Sequence, residues 1–258
     1  MHHLVAYFGL AAGVFVGMLV LLDVGRRIGR RQRARDPEGA VAGVGAVDGA
    51  VFALLGLLVA FTFSGAASRF DVRRQLIVEE ANAIGTAYLR LDLLAPDAQL
   101  PLRDKFRRYV DARLEAYQKL PDVSAAYEAL ARATQLQQEI WSESVAASRT
   151  APSAAAAMLL LPALNAMFDI TTTRTMATRM HPPVIIFAML VGLALASALL
   201  AGYGMAAGRS RSWVHTIGFA AAMAVAVYVI VDIEFPRLGF IRVDAFDQVL
   251  DDVRASMR

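Results

Sequence analysis

The sequence predicts an all-α integral membrane protein with four transmembrane helices in two pairs and a helical domain inserted between the pairs. Three observations carry this. Hydrophobic residues make up 57% of the 258 and charged residues only 19%, with a mean hydropathy of +0.47; soluble domains run nearer about 45–50% apolar and about 25% charged. The apolar residues come in blocks: Leu4–Leu22, Gly49–Ser68, Pro182–Gly208 and Ser212–Val231 hold no Asp, Glu, Lys or Arg. A bilayer-crossing helix needs about 20 such residues. Between the second and third blocks lies a nearly neutral polar stretch, Arg69–His181, with 14 Lys/Arg and 13 Asp/Glu. The blocks place spans over 4–24, 47–68, 182–206 and 212–233. They divide the chain into a first pair (1–68), an extramembrane helical domain (69–181), a second pair (182–235) and an amphipathic tail (236–258).

The first block starts MHHLVAY, without the basic residues of a secretory signal, and ends in RRIGRRQRAR, a stop-transfer pattern. Arg-rich short loops stay in the cytoplasm. The first loop carries six arginines over Arg26–Arg35, and the loop before the last span carries Arg209 and Arg211. Both are therefore expected on the cytoplasmic side, with the termini and the central domain outside.

No Pro or Gly-rich linker follows the second block, so its helix is expected to leave the membrane unbroken. The central domain then reads as four helices. The first covers Asp71–Leu94 and stops at Pro96. The second opens at Pro101, with Phe106, Val110, Leu114 and Tyr117 on one face. The third covers about 124–148 and the fourth about 153–180. Thr150–Phe168 is uncharged too, but it holds Pro152, Ser153, Pro162 and Asn165 and much alanine. It reads as a buried helix outside the bilayer; a fifth span would put the chain ends on opposite sides.

Enzyme signatures are absent: there is no P-loop, dinucleotide fingerprint, Gly-x-Ser-x-Gly elbow or His-Glu-x-x-His. Without cysteine there is no thiolate nucleophile or sulfur-ligated metal. His2 and His3 read as solvated, His181 as part of a membrane-surface break before Pro182, and His215 as interfacial. No metal, cofactor or nucleic-acid partner is expected. Coupled carriers place ionisable groups or broken helices near the midplane. Here Asp23, Asp48, Asp232 and Glu234 all sit at span edges, which suits a passive pore with charges at its mouths.

The second span is the most informative. Ala53, Leu57 and Phe61 recur at i, i+4 and i+8, one stripe of a helix. Thr62 and Ser64 place hydroxyls in its distal half, and Ser64–Ser68 is a run of small residues that allows close helix approach. The stripe is either a packing face or a pore wall. Arg69 and Arg73 follow on one face, then Glu79, Glu80 and Asn82. These form either ion pairs in a bundle or a charged vestibule.

The string LVAFTFSGAASRFDVRRQLIVEEANAIG resembles the end of the second transmembrane helix of bacterial bestrophins, and DIEFPRLGFIRVDAFDQVL resembles the segment after their fourth. The likeness is closer to the bacterial bestrophin-like membrane proteins, whose pattern GAVFALLGLLVAFTFSGAASRFDVRR, EEANAIGTAYLR and DITTTRT resemble. That resemblance implies a non-enzymatic ion channel of the bacterial inner membrane, embedded in lipid. It implies a homo-oligomer, a pentamer around one pore, that passes small inorganic ions. The neck positions would be Ala53, Leu57 and Phe61, with Ala53 smaller than the family's bulky residue. Asp232 and Glu234 fall where bestrophins have an acidic turn. Bestrophins keep the central domain and termini in the cytoplasm, the reverse of the arginine reading.

Two functions therefore stand. In the first, Leu57 and Phe61 form an apolar gate beside Thr62 and Ser64. Arg69 and Arg73 at one mouth would favour anions, and Asp232 and Glu234 would favour cations. In the second, the protein is a non-conducting sensor or scaffold whose helical domain binds a ligand or partner. If Ala53, Leu57 and Phe61 face helices of the same subunit, there is no pore.

Overall fold

The computed structural model describes residues 2–36, 44–208 and 212–257. Arg209 and Arg211 lie outside the described residues, as do the side chains of His2 and His3. Every long element is helical: α1 (His2–Arg35), α2 (Val44–Leu89), α3 (Pro96–Gln118), α4 (Val123–Arg149), α5 (Ala155–Ala177), α6 (Val184–Gly204), α7 (Trp213–Glu234) and α8 (Gln248–Ser256). There is no strand among the described residues.

The chain forms two units. The first comprises Met1–Ser68 and His181–Phe240, and the second Arg69–Met180 and Ile241–Arg258. Helix α2 supplies residues to both and continues without a break past Ser68, as the missing linker predicts.

In the first unit α1 lies along α6 and α7. Small residues set the α1–α6 approach. A methyl group at Gly25 would fall 2.0 Å from the Leu199 carbonyl oxygen, and one at Gly29 2.7 Å from that of Tyr203. Only a missing side chain lets the backbones come this close. Met18 and Leu22 of α1 and Leu190, Ala194 and Ala198 of α6 are buried at this seam. Against α7, Tyr7 stacks on Phe235 at 5.7 Å, and Phe8 stacks on Tyr228 at 5.1 Å.

This packing corrects one expectation. Arg26–Arg35 is not a loop but the last part of α1. Arginine is a good helix former, and Gly25 and Gly29 hold this part of the helix against α6.

In the second unit α3 packs on α4, and α4 on α5. Ile84, Leu91, Phe106, Tyr109, Val110, Ile140, Leu160, Leu164 and Met167 make the core, joined by Leu250 of α8. Helix α3 begins at Pro96 rather than Pro101. Ala95 before it is extended, so Pro96 takes the first-turn place and Pro101 lies inside the helix. Helix α4 is capped by Asp122, whose side chain accepts from the Ala125 N–H at 3.1 Å.

Among the described residues five helices, not four, are long and apolar enough to cross a membrane by length and composition. The extra one is α5, the least apolar of the five. Its alanines and leucines serve the unit's core: Ala156, Leu160, Ala163, Leu164 and Met167 are buried.

Candidate functional site

Helix α2 between Gly45 and Ser68 is a membrane-length apolar segment with few partners in its own chain. Leu55 and Ala66 are its only buried residues. Ala53, Leu57 and Phe61 are all exposed, Leu57 at 51% and Phe61 at 68%. Ser64 is exposed on the next turn of the same face. The stripe therefore does not pack on helices of its own subunit. Thr62 turns away from it: its hydroxyl donates to the carbonyls of Leu58 at 2.7 Å and Val59 at 3.0 Å.

The charged residues singled out from the sequence divide. Arg69 is half-buried. Arg73 is buried and donates to the carbonyls of Ala177 (3.1 Å) and Met180 (3.0 Å), capping the end of α5. Asp232 and Glu234 are fully buried in the first unit. The Asp232 carboxylate accepts from the Phe240 N–H at 3.0 and 3.1 Å and from the Tyr228 hydroxyl at 3.3 Å. It thereby folds the turn after α7. Gly239 leaves room for that carboxylate: a methyl group there would lie 1.6 Å from an Asp232 oxygen and would displace it. Glu234 meets the His181 ring at 2.9 Å, and that ring stacks on Phe235. Glu234 thereby ties the segment before α6 to the end of α7, and Asp232 holds the turn that follows α7. His215 pairs instead with the Ser212 hydroxyl at 2.6 Å.

Further along α2, in the second unit, Asp71 and Glu79 are exposed acids, and Asp71 pairs with Arg74 at 3.1 Å. Glu79 accepts from Gln75 through a side-chain oxygen at 2.8 Å. It follows Phe61 by 18 residues, five turns of the same unbroken helix.

The second unit also contains a buried ionic network that the sequence reading did not assemble. Glu80 is fully buried and takes two bonds from Arg113, at 2.6 and 3.2 Å, and one from Arg174 at 2.5 Å. Arg174 also reaches Asp247 at 2.9 Å, and Arg113 reaches the Tyr117 hydroxyl at 2.6 Å. The Arg174 guanidinium lies 3.8 Å from the centre of the Tyr117 ring. Burial works to raise the Glu80 carboxyl, but the two guanidiniums outweigh it and hold it below the ordinary carboxylate value. Next to this network, Tyr109 bonds Thr171 and Gln137, and burial pushes its hydroxyl up to about 12. The sequence signal was available. Glu80 and Arg113 occupy apolar register positions, between Ile77 and Ile84 on α2 and after Phe106 and Val110 on α3.

No group of His, Asp and Glu suited to a metal occurs among the described residues.

Comparison with known proteins gives one family. Residues 9–245 match the family model described as the Bestrophin-like domain. Two mutant forms of a bacterial bestrophin homologue from Klebsiella pneumoniae share the fold. One has a TM-score of 0.65 at 14% identity, covering 94% of this chain and 97% of that one. The other has a TM-score of 0.64 at 13% identity, covering 93% and 98%. A further membrane-protein structure matches with a TM-score of 0.58 at 13% identity, again covering 93% and 98%. No curated protein matches.

Proposed function

The chain belongs to the bestrophin-like family, and from that premise we propose that it is a homo-oligomeric channel forming a passive ion pathway along α2. It is a multi-pass membrane protein of a channel family. In this proposal four segments span the bilayer: α1, the first part of α2, α6 and α7. Helix α5 stays outside the bilayer, because its apolar residues are spent on the second unit's core and it carries the buried Arg174. Five copies, the number implied by the sequence resemblance, surround one axis. The membrane is the bacterial inner membrane, with the arginines of α1 on its cytoplasmic side.

The observation that carries this reading is the exposure of Ala53, Leu57 and Phe61 on the apolar segment 45–68 of α2, in which Leu55 and Ala66 alone are buried. An apolar ring of Leu57 and Phe61 from several copies would gate by excluding water. Ala53 would leave a wider ring one turn before Leu57. Ser64 supplies hydroxyls beyond the gate, and Thr62 supports the wall from behind.

For ion preference, Arg73, Asp232 and Glu234 are engaged in local structure. Glu79 shares the azimuth of Phe61 and keeps its charge exposed. A ring of Glu79 carboxylates would draw cations. Purified protein reconstituted in planar bilayers tests this: it should carry a current that Phe61→Ala alters. No current across voltage, pH and ionic conditions would end the channel reading. It would leave the alternative, a non-conducting sensor built on the helical domain.

A further inference from the structure

We propose that the end of α1 is a binding site for one anionic phospholipid, with its headgroup phosphate held by Arg27, Arg30 and Arg31 and an acyl chain lying along Val16, Val20 and Val24. All six residues are exposed. The arginines stand at i, i+3 and i+4, so the three positions lie on one side of the helix. Val20 and Val24 precede Arg27 and Arg31 by seven residues, two turns, and so lead up to them along the same side. Gly25 and Gly29 occupy the other side, against α6.

The depth is fixed by that packing. Gly25 lies against Leu199, and Gly29 against Tyr203 and Ala206. These residues belong to the last turns of an uncharged run that ends at Gly208. Arg26 donates to the Gly208 carbonyl at 3.1 Å. The arginines therefore begin where the apolar run of α6 stops, at the level where a span meets the headgroups. From Arg27 to Arg31 the helix rises about 6 Å. A headgroup layer is about 5–8 Å thick on each side of the hydrocarbon core.

The charge balance suits a phosphate. Asp23 is the one acid beside the stripe, and it pairs with Arg27 at 2.7 Å on a largely exposed surface, where such a pair contributes little. Arg30 and Arg31 have no acidic partner among the described residues. Guanidinium groups bind phosphate oxygens through paired N–H donors. A soluble polyanion would use the arginines alone; the three exposed valines in line with them call for a ligand that is apolar below its phosphate. This inference requires only that α1 crosses the bilayer and is independent of conduction.

Native mass spectrometry of the full-length protein from mixed micelles containing equal phosphatidylglycerol and phosphatidylcholine tests it. The expected result is selective retention of phosphatidylglycerol. The triple variant Arg27→Gln, Arg30→Gln, Arg31→Gln should lose that selectivity, each charge contributing roughly fivefold. Arg132→Gln, in the second unit, should not change it. Inorganic phosphate at millimolar concentration should not displace the lipid. If the triple variant fails to fold, Arg31→Gln alone should weaken retention about fivefold, and Arg31→Lys should restore most of it. Equal retention of the two lipids, unchanged selectivity in the triple or Arg31→Gln variant, displacement by inorganic phosphate, or tighter binding of an oligonucleotide than of the lipid would each overturn the proposal.

Discussion

Gly202 of α6 faces Leu22 of α1 so closely that a methyl group on Gly202 would lie 2.1 Å from the Leu22 carbonyl oxygen. The obstacle is backbone, so no side-chain rotation relieves it. Gly202→Leu is expected to push α1 and α6 apart and cost about 1–3 kcal/mol or more. Gly192, with open space around its Cβ position, should accept Ala with little effect. Thermal unfolding of both variants in detergent, followed by circular dichroism, checks the contrast.

Glu80→Gln should destabilise the second unit strongly. It removes the carboxylate between Arg113 and Arg174, leaving the buried Arg113 without its counter-ion and Arg174 with Asp247 alone. Breaking such a pair from one side costs about 3–5 kcal/mol. Limited proteolysis of the purified protein should cut faster between Arg69 and Met180 in the variant.

The same carboxylate sets an acid limit. Its folded-state pKa is lowered, so its stabilisation is present above the unfolded carboxylate value and is lost as pH falls through the folded one. Tyr109 acts in the opposite direction. Its folded pKa is raised to about 12, so its contribution is present below the unfolded value of about 10 and is lost as pH rises from there to about 12. Denaturation temperature measured against pH should fall at both ends. Tyr109→Phe should remove part of the alkaline fall while leaving the acid one.

These residues mark where the sequence was legible and where it was not. Uninterrupted apolar runs located α1, α6 and α7, and the missing linker after Ser68 foretold the length of α2. The end of α1 was misread as a loop. The arginine run continues α1 to Arg35, and the close approach of Gly25 and Gly29 to α6, more than 170 residues away in the chain, is a contact that local pattern does not report. Pro101 drew attention from Pro96 because both suit a first turn, and the extended backbone at Ala95 decides between them. The Glu80 network joins residues 33 and 94 positions apart. Periodicity shows that a charged group sits on an apolar face but not which partner neutralises it. Likewise Arg73, Asp232 and Glu234 stood out as charges at span edges, yet their hydrogen bonds bind them into helix ends and a turn.

Asp232→Ala should loosen the turn after α7 by leaving the Phe240 N–H unpaired, a cost of about 1–3 kcal/mol. Gly239→Ala should do the same through the clash with that carboxylate. Hydrogen exchange over residues 235–240 should quicken in both variants.

Glu79→Lys should move the reversal potential of any current towards the anion potential, while Glu128→Lys, an exposed α4 position, should not. Reversal potentials under a salt gradient check this.

The absence of cysteine from the sequence permits a direct test of whether α2 lines the pathway. Leu57→Cys and Phe61→Cys, one at a time, would be reconstituted in planar bilayers and exposed to a charged, water-soluble thiol reagent. Modification that changes the current at both positions, with no change in the unsubstituted protein or in Leu55→Cys at a buried position, is the predicted result. Current that persists unaltered after both cysteines are shown to be modified would contradict a pathway along this face of α2.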